Sequence, residues 1–247
     1  MNYAVILAGG QGQRFGNADV PKQFVQLTGV PMVVYSLRTA QMNDNIDEIC
    51  VVASPSKQET IKKWCKEYGI TKLKYFALPG KERQQSVYSG LTAIPAKPRD
   101  TVMIMTSVCP FVSQRTIDKQ YETIKTSDAS ITVVKATDAI TFSTDGKKVN
   151  RTLQKKKIYI QQGPQLFRYG VLMAGHKAYM EDECMSKLDI TEDSEMVLNI
   201  GVECAMVMGD RFCIKVTYPE DLAIAEALHG LFEEQERAYV AERNNHS

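Results

Sequence analysis

The sequence predicts an α/β fold with a doubly wound, mainly parallel sheet. Short apolar runs alternate along the chain with segments of helical periodicity, which is the pattern of strands joined by crossover helices. The run at residues 49–53 is apolar throughout, as expected of a strand that is covered on both faces. A glycine-rich loop follows the first run directly, where parallel sheets usually place a ligand. The predicted strands are residues 3–7, 49–53, 73–77, 101–106 and 129–135.

Glycine and proline residues between the runs predict where further helices and strands begin and end. A helix over residues 56–68 should stop at Gly69, because glycine tolerates the left-handed conformation that ends many helices. Beyond residue 200 the pattern predicts strands at 204–208 and 214–217. A last helix should begin at Pro219, since proline is well suited to the first helical position.

One domain is predicted over residues 1–231, and the polar residues 232–247 are expected to form a helical extension. From residue 137 to about 167 the pattern changes to polar, β-branched stretches around a Thr-Asp-Gly turn signal at 144–146. This excursion is too long for an ordinary loop in a compact domain. We therefore expect this excursion to have a function of its own.

Composition narrows the class of protein. The 247 residues carry 30 basic and 29 acidic side chains, and 44% of them are hydrophobic, which predicts a soluble globular chain with a full core. No apolar run is long enough to span a bilayer and no targeting signal is apparent, so we expect a cytoplasmic protein that does not bind membranes. The balanced charge gives no support for a nucleic-acid partner. The six cysteines occur singly, which predicts reduced thiols rather than a zinc site.

The loop after the first strand has the features of a phosphate-binding site. Glycines let backbone N–H groups approach phosphate oxygens closely, and Arg14 and Lys22 supply mobile positive charge. The loop lacks the Lys-Ser or Lys-Thr of a P-loop and has the wrong glycine spacing for a dinucleotide fingerprint. A plain glycine turn between strand and helix is the alternative. The residues expected to bind the nucleotide here are Leu7, Ala8, Gly9, Gly10 and Gly12.

A family resemblance rests on this stretch. Residues 7–17, together with the Pro-Lys-Gln-Phe tetrad at 21–24, closely resemble the opening of the cytidylyltransferases that make CDP-methylerythritol and CDP-ribitol. The pair Gly16-Asn17 looks more like the ribitol-5-phosphate branch. The resemblance implies a Rossmann-like fold of the nucleotidyltransferase type. It also implies that residues 137–167 form a protruding β-arm, which packs against a second subunit in a homodimer.

A second motif, over residues 80–87, is similar to the family segment that surrounds the cytosine and ribose. The resemblance assigns nucleotide binding to Gly80, Arg83 and Ser86. The hydroxyl of Ser86 would contact the base. An alternative role for Ser86 is to cap the helix that follows.

A third motif surrounds Lys215, which in the family faces the α-phosphate. A lysine that ends a buried strand needs an anionic partner, because burying an unpaired ammonium group is costly. The alternative for the residues after Lys215 is helix capping, with acidic side chains facing the helix dipole. On the acceptor side the resemblance favours Lys155, Asp138 and Thr217.

The chain departs from the family pattern after its fourth predicted strand. Thr106 stands at the position of the usual metal-supporting aspartate, Cys109 at that of an arginine, and Cys213 at that of an asparagine. A hydroxyl replaces a hard anionic ligand poorly. Magnesium or another divalent cation remains the expected cofactor. Its protein ligands are unknown, with Asp138 and Asp210 as candidates.

The resemblance implies in-line attack by an acceptor phosphate oxygen on the α-phosphorus of CTP, with release of pyrophosphate. The catalytic residues would be Arg14, Lys22 and Lys215, which position the phosphates and neutralise their charge. We expect a polyol or sugar phosphate acceptor other than ribitol 5-phosphate, in surface-glycan synthesis of the teichoic acid or capsule type. Two rival hypotheses are a nucleotide-binding homologue without catalysis, suggested by the uncharged segment 106–109, and a transferase that uses another base.

Overall fold

The computed structural model describes residues 1–10, 21–182 and 189–245. Its central sheet has seven strands in the described part of the chain, in the order β11-β7-β10-β6-β1-β4-β5. Every neighbouring pair is parallel except those made by β10, which is antiparallel to both β6 and β7. The strands are Asn2–Leu7 (β1), Gln26–Leu27 (β2), Val30–Pro31 (β3), Glu48–Val52 (β4), Leu73–Ala77 (β5), Thr101–Thr106 (β6), Ala129–Lys135 (β7), Thr141–Phe142 (β8), Arg151–Thr152 (β9), Tyr159–Arg168 (β10) and Ala205–Met208 (β11).

Helices cover both faces of the sheet, which confirms the predicted doubly wound α/β fold. Alternate residues of β1 point to opposite sides. Ala4 and Ile6 belong to one buried cluster, whereas Tyr3 and Val5 belong to another. The first cluster includes residues of α1, α2 and α4, and the second includes residues of α3, α5 and α6. The helices are Met32–Met42 (α1), Pro55–Glu67 (α2), Arg83–Ala93 (α3), Gln114–Thr123 (α4), Tyr169–Glu181 (α5), Asp193–Asn199 (α6) and Pro219–Asn244 (α7), with 3₁₀ turns at Lys22–Phe24 and Lys155–Lys157.

The last helix packs against a third cluster at the end of the sheet that carries the glycine-rich loop. Leu27, Met32 and Phe111 are fully buried there, together with Ala225 of α7. Residues 232–244 continue the same helix, and Phe232 is only 5% exposed. The expected polar extension is therefore helical but begins with a core residue. The division of the chain at residue 231 stays a prediction.

The predicted arm needs a correction. A small hairpin of β8 and β9 does form, and its turn is the predicted one. The carboxylate of Asp145 accepts hydrogen bonds from the backbone N–H groups of Lys147 and Lys148, and Gly146 has φ +66°. However, the last nine residues of the range 137–167 belong to β10, which lies in the central sheet. Residues 164–167 of this strand are buried, and Leu166 and Phe167 belong to the two core clusters on opposite faces of the sheet.

A second correction concerns residues 214–217, which form no strand. They run irregularly between β11 and α7. The backbone N–H of Val216 donates to the carbonyl of Val108 at 2.9 Å, so this segment joins the loop after β6 through a single hydrogen bond. Among the described residues, no helix is long and apolar enough to cross a membrane.

Candidate functional site

The candidate site lies where β1, β4 and β6 end together at their carboxyl ends. The backbone N–H of Ala8 donates to Val52 at 2.9 Å, and that of Ser107 donates to Leu7 at 3.1 Å. The Ser107 hydroxyl donates to the same Leu7 carbonyl at 2.7 Å. These bonds hold the start of the glycine-rich loop against the end of β6, so residues that leave either strand meet at one edge.

The described glycines of the loop are placed for close contact. A Cβ on Gly9 would collide with the ring of Pro79, whereas a Cβ on Gly10 would meet nothing. Gly9 therefore lets the loop after β1 touch the loop after β5. The buried side-chain amide of Gln23 donates to the carbonyls of Ala8 and Gly10 at 2.7 and 2.8 Å. This amide fixes the loop's shape, a role that the sequence did not reveal for Gln23. Gly12 and Arg14 lie outside the described residues.

Lys22 and Lys215 come to the same edge from opposite ends of the chain. The ammonium group of Lys22 donates to the carbonyl of Val216 at 3.1 Å, and the N–H of Val216 is bound to Val108 after β6. Both lysines are near enough to Cys109 to lower the pKa of its thiol. The structure thus brings together two of the three predicted catalytic cations.

The surroundings of Lys215 differ from the expected ones. Lys215 is exposed and follows an irregular segment rather than ending a buried strand. Its neighbour Val216 is fully buried and anchors it. The N–H groups of Thr217 and Tyr218 donate to the carboxylate of Asp221 at 2.7 and 2.8 Å, which confirms the capping role considered for the residues after Lys215. An exposed ammonium group on an anchored backbone is available to a ligand.

The predicted base-binding loop is closed by its own hydrogen bonds. The hydroxyl of Ser86 accepts from the N–H of Gly80 and donates to the carbonyl of Glu82, both at 3.0 Å. A Cβ on Gly80 would overlap the side chain of Gln85. The N-cap of α3 is Glu82, so the alternative role of Ser86 as the helix cap is wrong. Ser86 instead shapes the loop beside Gly9.

Arg83 is held by carboxylates. Its guanidinium lies 2.5 Å from Asp193 and 3.2 Å from Glu192. Asp193 is completely buried and also lies 3.3 Å from the Nε2 atom of His176. Burial acts to raise the pKa of Asp193, but Arg83 and His176 outweigh it and hold the pKa below its usual value. Sequence reasoning missed this network, although it noted Arg83.

The other residues assigned to the acceptor are spread around the site. Asp138 and Lys155 lie on the exposed base of the arm, where the Lys155 ammonium donates to the carbonyl of Thr137 at 2.5 Å. The hydroxyl of Thr217 donates to the carbonyl of Lys215 at 3.1 Å. Thr217 is therefore near the predicted catalytic lysines. No interaction joins it to Asp138 or Lys155 in the described structure.

The donor set does not fit a metal ion held by protein carboxylates. Thr106 ends β6 at the edge of the site with a neutral hydroxyl. Asp210, one of the two candidate ligands, accepts hydrogen bonds from Ser113 and from the N–H groups of Phe212 and Cys213. Within residues 1–10, 21–182 and 189–245, no group of three His, Cys, Asp or Glu side chains could hold a metal ion. We therefore assign no metal to these side chains.

This arrangement suits the binding of a polyphosphate. Two cations, a glycine-rich turn and a second polar loop converge at the end of the sheet, while the described acidic groups nearby are engaged in structural hydrogen bonds. Charge neutralisation and positioning need no general base, because phosphate oxygens are already anionic at neutral pH.

Comparison with known proteins shows the family of the chain. The model of the family described as "IspD: 2-C-methyl-D-erythritol 4-phosphate cytidylyltransferase" matches residues 2–230. The enzyme of that name from Geotalea uraniireducens is 33% identical over 226 residues, which are 91% of this chain and 94% of the relative. The one from Clostridium novyi is 32% identical over 228 residues, 92% of this chain and 96% of the relative.

Solved structures give the same result. The 4-diphosphocytidyl-2C-methyl-D-erythritol synthase of Anaerococcus prevotii superposes with a TM-score of 0.79 at 25% identity, covering 92% of this chain and 95% of its own. The 2-C-methyl-D-erythritol 4-phosphate cytidylyltransferase of Francisella tularensis has a TM-score of 0.76 at 27% identity, with 91% and 98% covered. The chain belongs to the IspD family of 2-C-methyl-D-erythritol 4-phosphate cytidylyltransferases.

Proposed function

We propose that this protein is a CTP-dependent cytidylyltransferase, which joins CMP to a polyol phosphate and releases pyrophosphate. One observation carries the proposal. The hydrogen bond from Lys22 to Val216, and that from Val216 to Val108, gather Lys22 and Lys215 at the carboxyl ends of β1 and β6. Two cations at the mouth of a glycine-rich turn are what a triphosphate requires.

The chemistry assigned to the chain is positioning and charge neutralisation. An oxygen of the acceptor phosphate attacks the α-phosphorus of CTP in line, the bond to the β-phosphate oxygen breaks, and pyrophosphate leaves. Lys22 and Lys215 stabilise the charge that develops on the α-phosphate oxygens. Gly80 and Ser86 form the loop that faces the base, and Arg83 holds the helix behind that loop through Asp193. Arg14 is proposed as a third cation on resemblance alone.

We propose methylerythritol 4-phosphate as the acceptor. The family model and the two curated relatives described above carry that substrate in their names. None of these three names supports the ribitol-5-phosphate branch or a role in surface-glycan synthesis, which the sequence resemblance favoured. Methylerythritol phosphate and ribitol phosphate are both short polyol phosphates, so the same cations serve either one.

The experiment is a pyrophosphate-release assay on the purified chain with each acceptor in turn. CTP with methylerythritol phosphate should release pyrophosphate, ribitol 5-phosphate should be slower, and UTP should be slower than CTP. Release with ribitol phosphate alone would reverse the choice of acceptor. Binding of CTP without release from any acceptor would favour the rival hypothesis of a homologue without catalysis, for which the uncharged residues Thr106 and Cys109 argue.

The same pyrophosphate-release assay tests whether the reaction requires a divalent cation. We propose that the reaction uses magnesium, which would enter on the phosphates of the nucleotide, because the described side chains offer no carboxylate cluster for it. Addition of a chelator should abolish release, and calcium should not substitute fully for magnesium. Full activity in chelator would remove magnesium from the proposal.

We also propose that the chain forms a homodimer through its arm. Phe142, Val149 and Ile160 lie on or beside the hairpin and are 43%, 64% and 48% exposed. Apolar side chains grouped on one projection are typical of a contact surface. Sedimentation velocity should give about twice the mass of one chain, whereas a sedimenting monomer would refute the dimer.

A further inference from the structure

Lys215 lies on a segment that is not a strand of the sheet. The chain passes from β11 to α7 through irregular backbone over residues 209–218. A backbone hydrogen bond from the N–H of Val216 to the carbonyl of Val108, at 2.9 Å, joins the second half of this segment to the loop after β6. The first half, between β11 and Lys215, needs other partners, because backbone polar groups that are removed from water must be paired.

Asp210 fixes this first half through both oxygens of its carboxylate. The Oδ1 atom accepts from the backbone N–H groups of Phe212 and Cys213 at 3.0 and 3.2 Å. The Oδ2 atom accepts from the hydroxyl of Ser113 at 2.8 Å. Ser113 is 2% exposed and is the N-cap of α4, where its hydroxyl also accepts from the N–H of Thr116. Asp210 therefore attaches the turn that it begins to the start of α4.

Gln162 closes the same turn from β10. Its side-chain amide donates to the carbonyls of Asp210 and Cys213, each at 3.0 Å. A Cβ on Gly209 would lie 2.6 Å from the side-chain oxygen of Gln162, so glycine lets the end of β11 approach this amide closely. One carboxylate and one amide thus bind two N–H groups and two carbonyls of the turn. These bonds take the place of the ladder that a strand would have made.

Lys215 is also anchored on its other side. The carbonyl of Val216 accepts from Lys22 at 3.1 Å, and the carboxylate of Asp221 accepts from the N–H groups of the two residues that follow Val216. The exposed side chain of Lys215 therefore projects from between two fixed stretches of backbone. Because a lysine has a flexible stem, the position of its backbone determines the space that its ammonium group can reach.

We propose that Asp210 is a positioning residue for Lys215, that Gln162 assists it, and that neither one contacts the substrate. The inference rests on the proposed function, in which Lys215 stabilises charge on the α-phosphate. Asp210 acts by setting the path of the backbone that leads into Lys215. Both of its carboxylate oxygens accept from donors of the protein itself, which suits a residue that shapes backbone rather than one that binds a metal ion.

The first test is pyrophosphate release by Asp210→Ala and Asp210→Asn with CTP and methylerythritol phosphate. Alanine removes the acceptor, so kcat should fall about tenfold while KM for CTP changes less than about threefold. Asparagine keeps an oxygen for the two N–H groups and should retain most of the wild-type kcat. Gln162→Met has a similar length but no donor, and should behave as Asp210→Ala does. Glu203→Ala removes an exposed carboxylate before β11 and is the control, with the wild-type rate.

A double variant separates positioning from general damage to the fold. Asp210→Ala should cost no further activity in Lys215→Met, because no ammonium group is left to position. Persistence of the tenfold loss without Lys215 would overturn the proposal. Wild-type kcat in both Asp210→Ala and Gln162→Met would overturn it too. Circular dichroism checks that each variant is folded, and Gln162→Met decides the matter if Asp210→Ala is not.

A second measurement needs no turnover. Hydrogen exchange of the full folded chain, followed by mass spectrometry of peptides that cover residues 209–218, should be faster in Asp210→Ala than in the wild type. It should be unchanged in Glu203→Ala. Unchanged exchange in Asp210→Ala would overturn the positioning even in an active enzyme. A wild type that releases no pyrophosphate would overturn the proposed function and the catalytic consequence of Asp210, while the exchange data still decide whether Asp210 fixes the segment.

Discussion

Asp193 is the residue that most stabilises the helices behind the predicted base-binding loop. Its side chain is completely buried between Arg83 and His176. A buried carboxylate is tolerated only when it is paired, and loss of one partner leaves the other uncompensated. Asp193 therefore links α3, α5 and α6 behind the predicted base-binding loop. Its importance is structural, because it does not face the cleft.

Asp193→Asn should lower the free energy of unfolding by about 3 kcal/mol, because the half-buried guanidinium of Arg83 loses its shortest ion pair and keeps only Glu192. Urea denaturation followed by circular dichroism would measure this. The exposed neighbour Asp189 provides the control, and Asp189→Asn should change stability by less than about 0.5 kcal/mol. Equal stability of the two variants would contradict the role given to Asp193.

The contribution of Asp193 should also appear in the pH dependence of the free energy of unfolding. Arg83 and His176 hold the pKa of folded Asp193 below its usual value despite burial. A lowered folded pKa means that the carboxylate contributes stability above the unfolded pKa of about 3.9 and loses it as the pH falls further. We expect the wild type to lose stability more steeply than Asp193→Asn between about pH 4 and pH 2. Parallel curves would contradict this.

At the scale of elements, α7 connects the segment that carries Lys215 to the start of α4 and to the third buried cluster. Phe232 packs on Phe111 with ring centroids 4.9 Å apart. One turn later, the carboxylate of Glu236 accepts from the N–H of Gln114 at 2.9 Å, at the start of α4. The N-terminal end of the same helix follows Lys215. A single helix thus ties the segment of the predicted catalytic lysine to the body of the fold.

Phe232→Ala should lower the free energy of unfolding by about 3–5 kcal/mol, because it removes a buried ring from the third cluster. Leu231 is 58% exposed and gives a matched control in the adjacent position. Leu231→Ala should change stability by less than about 0.5 kcal/mol. Thermal or urea unfolding would compare the two. If both variants were equally stable, residues 232–245 would be the separate extension that the sequence suggested.

Elements with a strong local signal could be predicted from the sequence. The bounds of β5, β6 and β7 match the predicted runs, because each run is rich in the apolar, aromatic or β-branched residues that favour strands. β10 could not be predicted in this way. It contains Gln161 and Gln162 followed by Gly163-Pro164, which resemble a loop. Its pairing with β6 and β7 is a long-range property.

The candidate site likewise contains residues that could be predicted from the sequence and contacts that could not. Lys22 and Lys215 could be selected because their motifs resemble those of a family, and the structure brings both to one edge. The contact between Asp193 and Arg83 joins positions about a hundred residues apart. No local pattern marks such pairs. The exposed position of Lys215 was also missed, since its apolar neighbours indicated a strand.

For the whole molecule, the central question is whether an IspD-family fold with neutral residues at Thr106 and Cys109 carries out cytidylyl transfer. The family match covers residues 2–230, so the architecture is intact. The two lysines at the carboxyl ends of β1 and β6 supply positive charge from other positions. The proposed reaction needs that charge more than it needs a base.

The most direct test is ³¹P NMR of the wild-type chain with CTP, magnesium and methylerythritol 4-phosphate. The spectrum should show loss of the β- and γ-phosphate signals of CTP together with the appearance of a diphosphodiester and of pyrophosphate. Lys215→Met should slow this by about 10²-fold, the cost of removing one group that stabilises the transition state. A spectrum in which CTP persists unchanged with the folded wild-type chain would contradict the proposed function.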